Sequence, residues 1–163
     1  MGKGARDKNE APSEPVKAYF WGARNAEEEE WFKKIVEDRV KHSPFYELLG
    51  MEVVGLDPGE ARLRIEAGSH HCDEKGTVHP GVIFALADAS SGVAMATLIP
   101  RGSRRVVTVE MKANFVAPAG QGKLTGTGKV LQEDVDIAVS EAEVRDDAGN
   151  LIATSMATFM VIR

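Results

Sequence analysis

From Asn25 onward, Trp31, Phe32, Ile35, Val36 and Val40 recur at three- and four-residue steps among charged residues. That spacing makes one apolar face of an amphipathic helix. Asn25 followed by Glu28 reads as an N-cap with its capping-box partner; Glu27 to Glu30 suit the positive end of the helix dipole, and Arg39, Lys41 and His42 the negative end. A helix over roughly residues 26 to 41 is expected. Ser43-Pro44 breaks it, and Phe45, Tyr46, Leu48 and Leu49 form a short apolar turn or helix before Gly50.

The period then changes to two. Met51 to Leu56, the turn Asp57-Pro58-Gly59-Glu60 and the alternating Ala61 to Glu66 predict a β-hairpin, followed by a polar loop from Gly68 to Gly76. Thr77 to Ile99 is poor in charge, and from about Gly81 to Leu98 it is apolar or small almost all round, the pattern of a buried helix. Four strand-like pieces follow: Arg105 to Val116, Lys123 to Gln132, Val135 to Arg145 and Leu151 to Ile162, each break carrying turn residues. One buried helix among antiparallel strands implies an α+β architecture, with a curved antiparallel sheet wrapped around a long central helix and an additional amphipathic helix at the N-terminal side.

Composition narrows the function. Residues 1 to 15 hold almost no apolar side chains and predict a disordered tail. A disordered or extended segment is taken to residue 24, and a single domain from 25 to 163. Twenty basic against 25 acidic residues give a formal charge of −5, which disfavours nucleic acid and anionic lipid as partners. Cys72 is the single cysteine, so no intramolecular disulfide and no paired zinc spacing is present, and a reducing cytoplasm fits. The first residues lack a secretory apolar region, and Arg6 stands where a myristoylation motif needs Ser or Thr. Pro80 and Asp88 inside the charge-poor segment argue against a membrane span.

Between Gly76 and Pro100 only His79 and Asp88 can ionise near neutral pH. A carboxylate in a packed helix needs a cleft or a partner. Asp88 therefore marks either a site or a structural acid paired with the sheet. His79-Pro80-Gly81 stands at the start of the same helix, where the amides of Gly81, Val82 and Ile83 are expected to be free to polarise a carbonyl. Asp88 follows Gly81 by two turns, about 10 Å along the axis on one face.

Other clusters compete. His70, His71, Cys72, Asp73 and His79 suggest a metal only by density, without ligand spacing, and the plainer reading is a polar loop rimming a pocket. Ser90 and Ser91 lie in no nucleophile elbow and read as packing residues. Arg101, Arg104 and Arg105 suit either phosphate contacts or a solvated turn. Trp31, Phe32 and Tyr46 suit a pocket cap or a core; Met95, Met111, Met156 and Met160 suit an adaptable tunnel or core filling.

The segment Gly76-Thr77-Val78-His79-Pro80-Gly81-Val82-Ile83-Phe84-Ala85-Leu86-Ala87-Asp88 resembles the signature of hotdog-fold acyl-CoA thioesterases of the phenylacetic-acid-degradation (PaaI-like) branch. In that family His-Gly-Gly is followed, seven residues after the second Gly, by an acid on the central helix. The likeness continues through Val106 to Met111 and Asn114 to Ala119, and spans roughly residues 44 to 162.

The resemblance implies a hotdog fold and hydrolysis of an acyl-CoA thioester, with no metal or redox cofactor required. Asp88 becomes general base or nucleophile, and His79 shapes the site. Asp73 stands where relatives carry Asn or Gln near the attacking water, and Thr108 where some carry a Ser or Thr from the facing subunit. It further implies a homodimer, often paired into a tetramer. Pro80, Val82 and, by their charge, Arg101, Arg104 and Arg105 are the candidate substrate-binding residues.

Two residues depart from the family pattern. Pro80 replaces the glycine whose amide meets the thioester carbonyl, and proline has no N–H to donate. Asp73 replaces an amide, and beside Asp88 it would titrate as one of a coupled pair. Pro80 keeps open a noncatalytic acyl-CoA binding or sensing protein; a hydratase-type hotdog enzyme fits the motif less well.

Overall fold

The computed structural model describes residues 22–99, 105–134 and 136–162. Of the tail expected over residues 1 to 24, residues 1 to 21 lie outside the described residues, as do Arg101 and Arg104. Helix α1 runs Ala26–Ile35, capped by the Asn25 side chain, which accepts the Glu28 N–H at 3.0 Å. The chain then winds as a π-helix over Val36–Lys41 where a continuous α-helix was expected. Phe32, Ile35, Val36 and Val40 are all buried, and steps of three to five residues suit either winding, so periodicity alone does not distinguish them. After the break, α2 spans Pro44–Leu49 and ends on Gly50 in the left-handed region, φ 61°.

Strands β1 (Glu52–Asp57) and β2 (Glu60–Ala67) form the expected hairpin, with Gly59 at φ 78° supplying the tight turn. The loop after it holds a 3₁₀ turn, Ser69–His71, and a bridge between Cys72 and Val78. Helix α3 (Pro80–Leu98) precedes β3 (Arg105–Phe115), β4 (Gly122–Glu133), β5 (Ile137–Asp146) and β6 (Leu151–Ile162). The six strands form one sheet in the order β1-β2-β4-β5-β6-β3, every neighbouring pair antiparallel.

Helix α3 touches all six strands. By length and composition it could cross a membrane, yet much of it is buried inside the fold. Its seat is made by β4. A Cβ added at Gly128 would stand 2.4 Å from the Ser90 carbonyl group and 2.5 Å from the Ser91 nitrogen; one at Gly126 would meet Ser90 Oγ at 2.5 Å. Only glycine permits helix backbone to lie this close to the strand. Ser90 and Ser91 are fully buried packing residues, and Ser90 Oγ donates to the Leu86 carbonyl at 2.7 Å.

The N-terminal helix joins this core through Trp31, whose Nε1–H donates to the Ala96 carbonyl at 3.1 Å. Ala96 lies in the last turn of α3, where carbonyls have no partner within the helix. The indole is a helix cap rather than the lid of a pocket. Met95 is buried and Met111 packs against the core, whereas Met156 and Met160 project from the outer face of the sheet and line no tunnel.

Gly128→Ala should lower Tm by about 5 to 10 °C, because backbone, not a movable side chain, blocks the new methyl. Gly120→Ala, with nothing within 4 Å of its added Cβ, should leave Tm nearly unchanged in the same thermal scan.

Candidate active site

The face of α3 left open by the sheet carries Gly81, Ala85, Asp88 and Gly92. Asp88 is its only ionisable residue and is half-buried. Thr108 on β3 donates its hydroxyl to Asp88 Oδ1 at 2.8 Å. No arginine or lysine pairs with Asp88 among the described residues. The carboxylate instead lines a cavity of about 390 Å³ with Thr108, Tyr46, Ser43 and Asp38, over Val106 and Phe159.

A bulge aims Thr108 at that cavity. The β3–β6 register shifts between Thr108 and Glu110, placing one extra residue, Val109, in β3. Val106 and Thr108 face α3 before the bulge, and Met111 and Ala113 turn inward after it. Strict alternation would have sent one pair outward. The resemblance assigns this hydroxyl to the facing subunit, but here it reaches Asp88 of its own chain.

The start of α3 differs from expectation. His79 is the N-cap, and its Nδ1 accepts the Gly81 N–H at 3.0 Å. The Val82 N–H is bonded to the His79 carbonyl at 2.9 Å. Thus the Gly81 and Val82 amides expected to be free are both occupied, and Pro80 has none to offer. The contact also fixes the imidazole with Nδ1 unprotonated.

His79, Gly81 and Val82 line a second cavity of about 400 Å³ with Phe45, Leu49, His70, His71 and Cys72. Helix α2 contributes to both openings, Tyr46 to one and Phe45 with Leu49 to the other. Asp73 and Pro80 line a third, of about 340 Å³. Asp73 Oδ1 accepts the amides of Lys75 at 2.9 Å and Thr77 at 3.0 Å, a local turn-forming role. Within one chain, Asp73 and Asp88 line different cavities. Arg105 is exposed at the head of β3, about 10 Å along the strand from Thr108.

The histidine-rich loop brings no group of three metal-binding side chains together among the described residues. His71 is buried and structural: Nδ1 accepts the Gly68 N–H at 3.0 Å, and Nε2 faces the Leu49 carbonyl at 3.2 Å. Burial, then repulsion from His70, lowers its pKa below the usual 6.5, against an opposing contribution from the Leu49 carbonyl. Cys72 Sγ contacts the Gly68 carbonyl at 3.4 Å.

Asp38 and Ser43 were not singled out by sequence reasoning. Asp38 sits on the polar face of the N-terminal helix and pairs with Lys34 at 2.6 Å, so its pattern is that of a solvated surface acid. Only the π-helical winding of that turn distinguishes it.

The sequence pattern of the thioesterase superfamily matches residues 75–153. A protein of Saccharolobus solfataricus named as an esterase is 30% identical over 135 residues, covering 83% of this chain and 95% of that one. The chain belongs to the thioesterase superfamily. The medium/long-chain acyl-CoA thioesterase YigI of Escherichia coli is 24% identical over 147 residues, 82% of this chain and 95% of its own. The PaaI protein of the Escherichia coli phenylacetic acid degradation operon superposes with a TM-score of 0.76 at 18% identity, covering 82% of this chain and 95% of PaaI. The architecture shared with that superfamily neighbour is the hotdog fold: a curved sheet around α3. The matched span contains the start of α3, Asp88 and Thr108.

Acid should test the His71 assignment. Its folded pKa lies below the unfolded value of about 6.5, so the stability it contributes is complete above that value and falls as pH drops through it, by up to about 1.4 kcal/mol per pH unit. Urea unfolding at pH 7.5 and 5.5 should show this loss, and His71→Gln should flatten the slope in that window.

Proposed function

We propose that this protein hydrolyses an acyl-CoA thioester, with Asp88 acting on water as general base or on the thioester carbonyl as nucleophile. The observation that carries this reading is the single carboxylate of α3, half-buried, unpaired by any cation among the described residues, held by Thr108 at 2.8 Å and lining a cavity. With Oδ1 taken by the Thr108 hydroxyl, the carboxylate is held in one orientation while its other oxygen is available to a proton or an acyl carbon. The naming of YigI as an acyl-CoA thioesterase supports the substrate class.

A second copy of the chain completes the site in this reading. The Asp88 cavity and the His79–Gly81 cavity are distinct within one chain, with α2 contributing to both. A partner bringing its own helix start toward Asp88 would put carboxylate and amides on one substrate. The same contact would bring Asp73 near Asp88 only across the subunit boundary. Arg105, with Arg101 and Arg104 of the same basic run, is proposed to meet coenzyme A phosphates, on the charge of that run alone. A reducing cytoplasm remains the setting the cysteine count favours.

The helix start favours one alternative, a noncatalytic acyl-CoA binding or sensing protein. Pro80 lacks an amide and the Gly81 amide is held by His79, which removes donors that an oxyanion would use.

Free-thiol release from aryl, short-chain and long-chain acyl-CoA esters tests the proposal. Asp88→Asn should lower kcat by about 10²-fold or more; full activity in that variant would refute the assignment. Tight binding of the esters without thiol release would favour the sensing alternative. Pro80→Gly supplies the missing N–H ahead of Gly81 and should raise or redirect turnover, whereas an unchanged rate and ester preference would exclude a role for that position.

A further inference from the structure

The cavity that holds Asp88 has walls of two characters. Val93 on α3, Val106 on β3 and Phe159 on β6 make an apolar floor. Asp38, Ser43 and Tyr46, all from the segment ahead of β1, add carboxylate and hydroxyl groups. Asp38 is thus a second acid in one cavity of about 390 Å³, and among the described residues lining it none is basic. Attack on a thioester by a base or a nucleophile needs one carboxylate, and Asp88 with its Thr108 hydrogen bond supplies it. Asp38 has no part in that step.

The chemistry that would satisfy this second acid is selective. A plain alkyl end offers it no hydrogen bond, a carboxylate end meets like charge from both acids, and a hydroxyl end offers one neutral donor. A protonated amine brings three donors and a positive charge between two negative ones, and it is attracted to the face of an aromatic ring such as that of Tyr46. Methylenes behind the amine would cover the valines and Phe159. We infer that Asp38 is a specificity-determining residue, selecting an acyl group whose far end carries a protonated amine while the thioester lies at Asp88. This deepens the acyl-CoA reading and rests on it for the position of the thioester.

Lys34 is the cation such a group must displace or share. It pairs with Asp38 Oδ2 at 2.6 Å, both side chains being more than half exposed, and it does not line the cavity. An exposed pair four residues apart on a helix is weak and yields to a cation held by a second acid and an apolar floor.

Four CoA esters of nearly equal length test the inference: ω-aminohexanoyl, ω-hydroxyhexanoyl, heptanoyl and adipoyl. The amino ester should have the highest kcat/KM and the adipoyl ester, which ends in a carboxylate, the lowest. Asp38→Asn should cut the ratio of amino to heptanoyl ester about fivefold, and Lys34→Gln should raise it. A merely structural role for Asp38 would lower all four esters together and leave the ratio alone. Calorimetry with S-(ω-aminohexyl)-CoA and S-heptyl-CoA, thioethers with no carbonyl to attack, reads the same ratio as Kd. An amine preference in Kd that falls in Asp38→Asn, without thiol release from any ester, would refute the catalytic reading and leave this one standing. Turnover with a ratio that Asp38→Asn does not change, a hydroxyl ester equal to the amino ester, or no binding of either thioether overturns the selection assigned to Asp38.

Discussion

The approach of the α3 backbone to β4 governs the rest of the molecule. Gly126 and Gly128 carry no side chains on the helix side, and the carbonyl of Ser90 and the nitrogen of Ser91 occupy the space a methyl would need. With the helix seated this low, strands on both sides curl up to meet it, and α3 touches every strand of the sheet. The buried face of α3 must then be small or apolar. Any charged group has to emerge on the narrow open stripe, where Asp88 emerges.

The same geometry explains why Thr108 reaches the acid. β3 is an edge strand joined to the sheet only through β6, and its extra residue at Val109 reverses the alternation of its side chains. The hydroxyl before the bulge turns onto Asp88, and Met111 after it turns into the core. An irregularity that weakens strand pairing by one residue thus supplies the hydrogen bond that orients the carboxylate.

Much of the architecture was legible in the hydrophobic pattern because each element has its own period: three to four for the N-terminal helix, two for the strands, none for α3, which is covered on most sides. Asp88 was legible for a related reason, being the sole acid in a segment that tolerates none without a purpose. What was hidden depends on single hydrogen bonds or on which face a strand presents. The Gly81 amide is free in any sequence reading and is occupied only because the His79 ring folds back onto it. Met156 and Met160 alternate correctly for a strand, but alternation cannot state which side the helix covers, and they lie on the other one. Asp38 lines the Asp88 cavity through a π-helical turn that the spacing of its apolar neighbours does not reveal.

The Trp31 contact changes what counts as the folding unit. The superfamily pattern covers residues 75–153, yet the indole of Trp31 occupies a carbonyl of the final turn of α3, and Phe32 and Ile35 beside it are sealed into the main core. A chain trimmed to the hotdog segment alone would leave that carbonyl to water and uncover the apolar wall beneath α1. The N-terminal helix is therefore a buttress of the central rod.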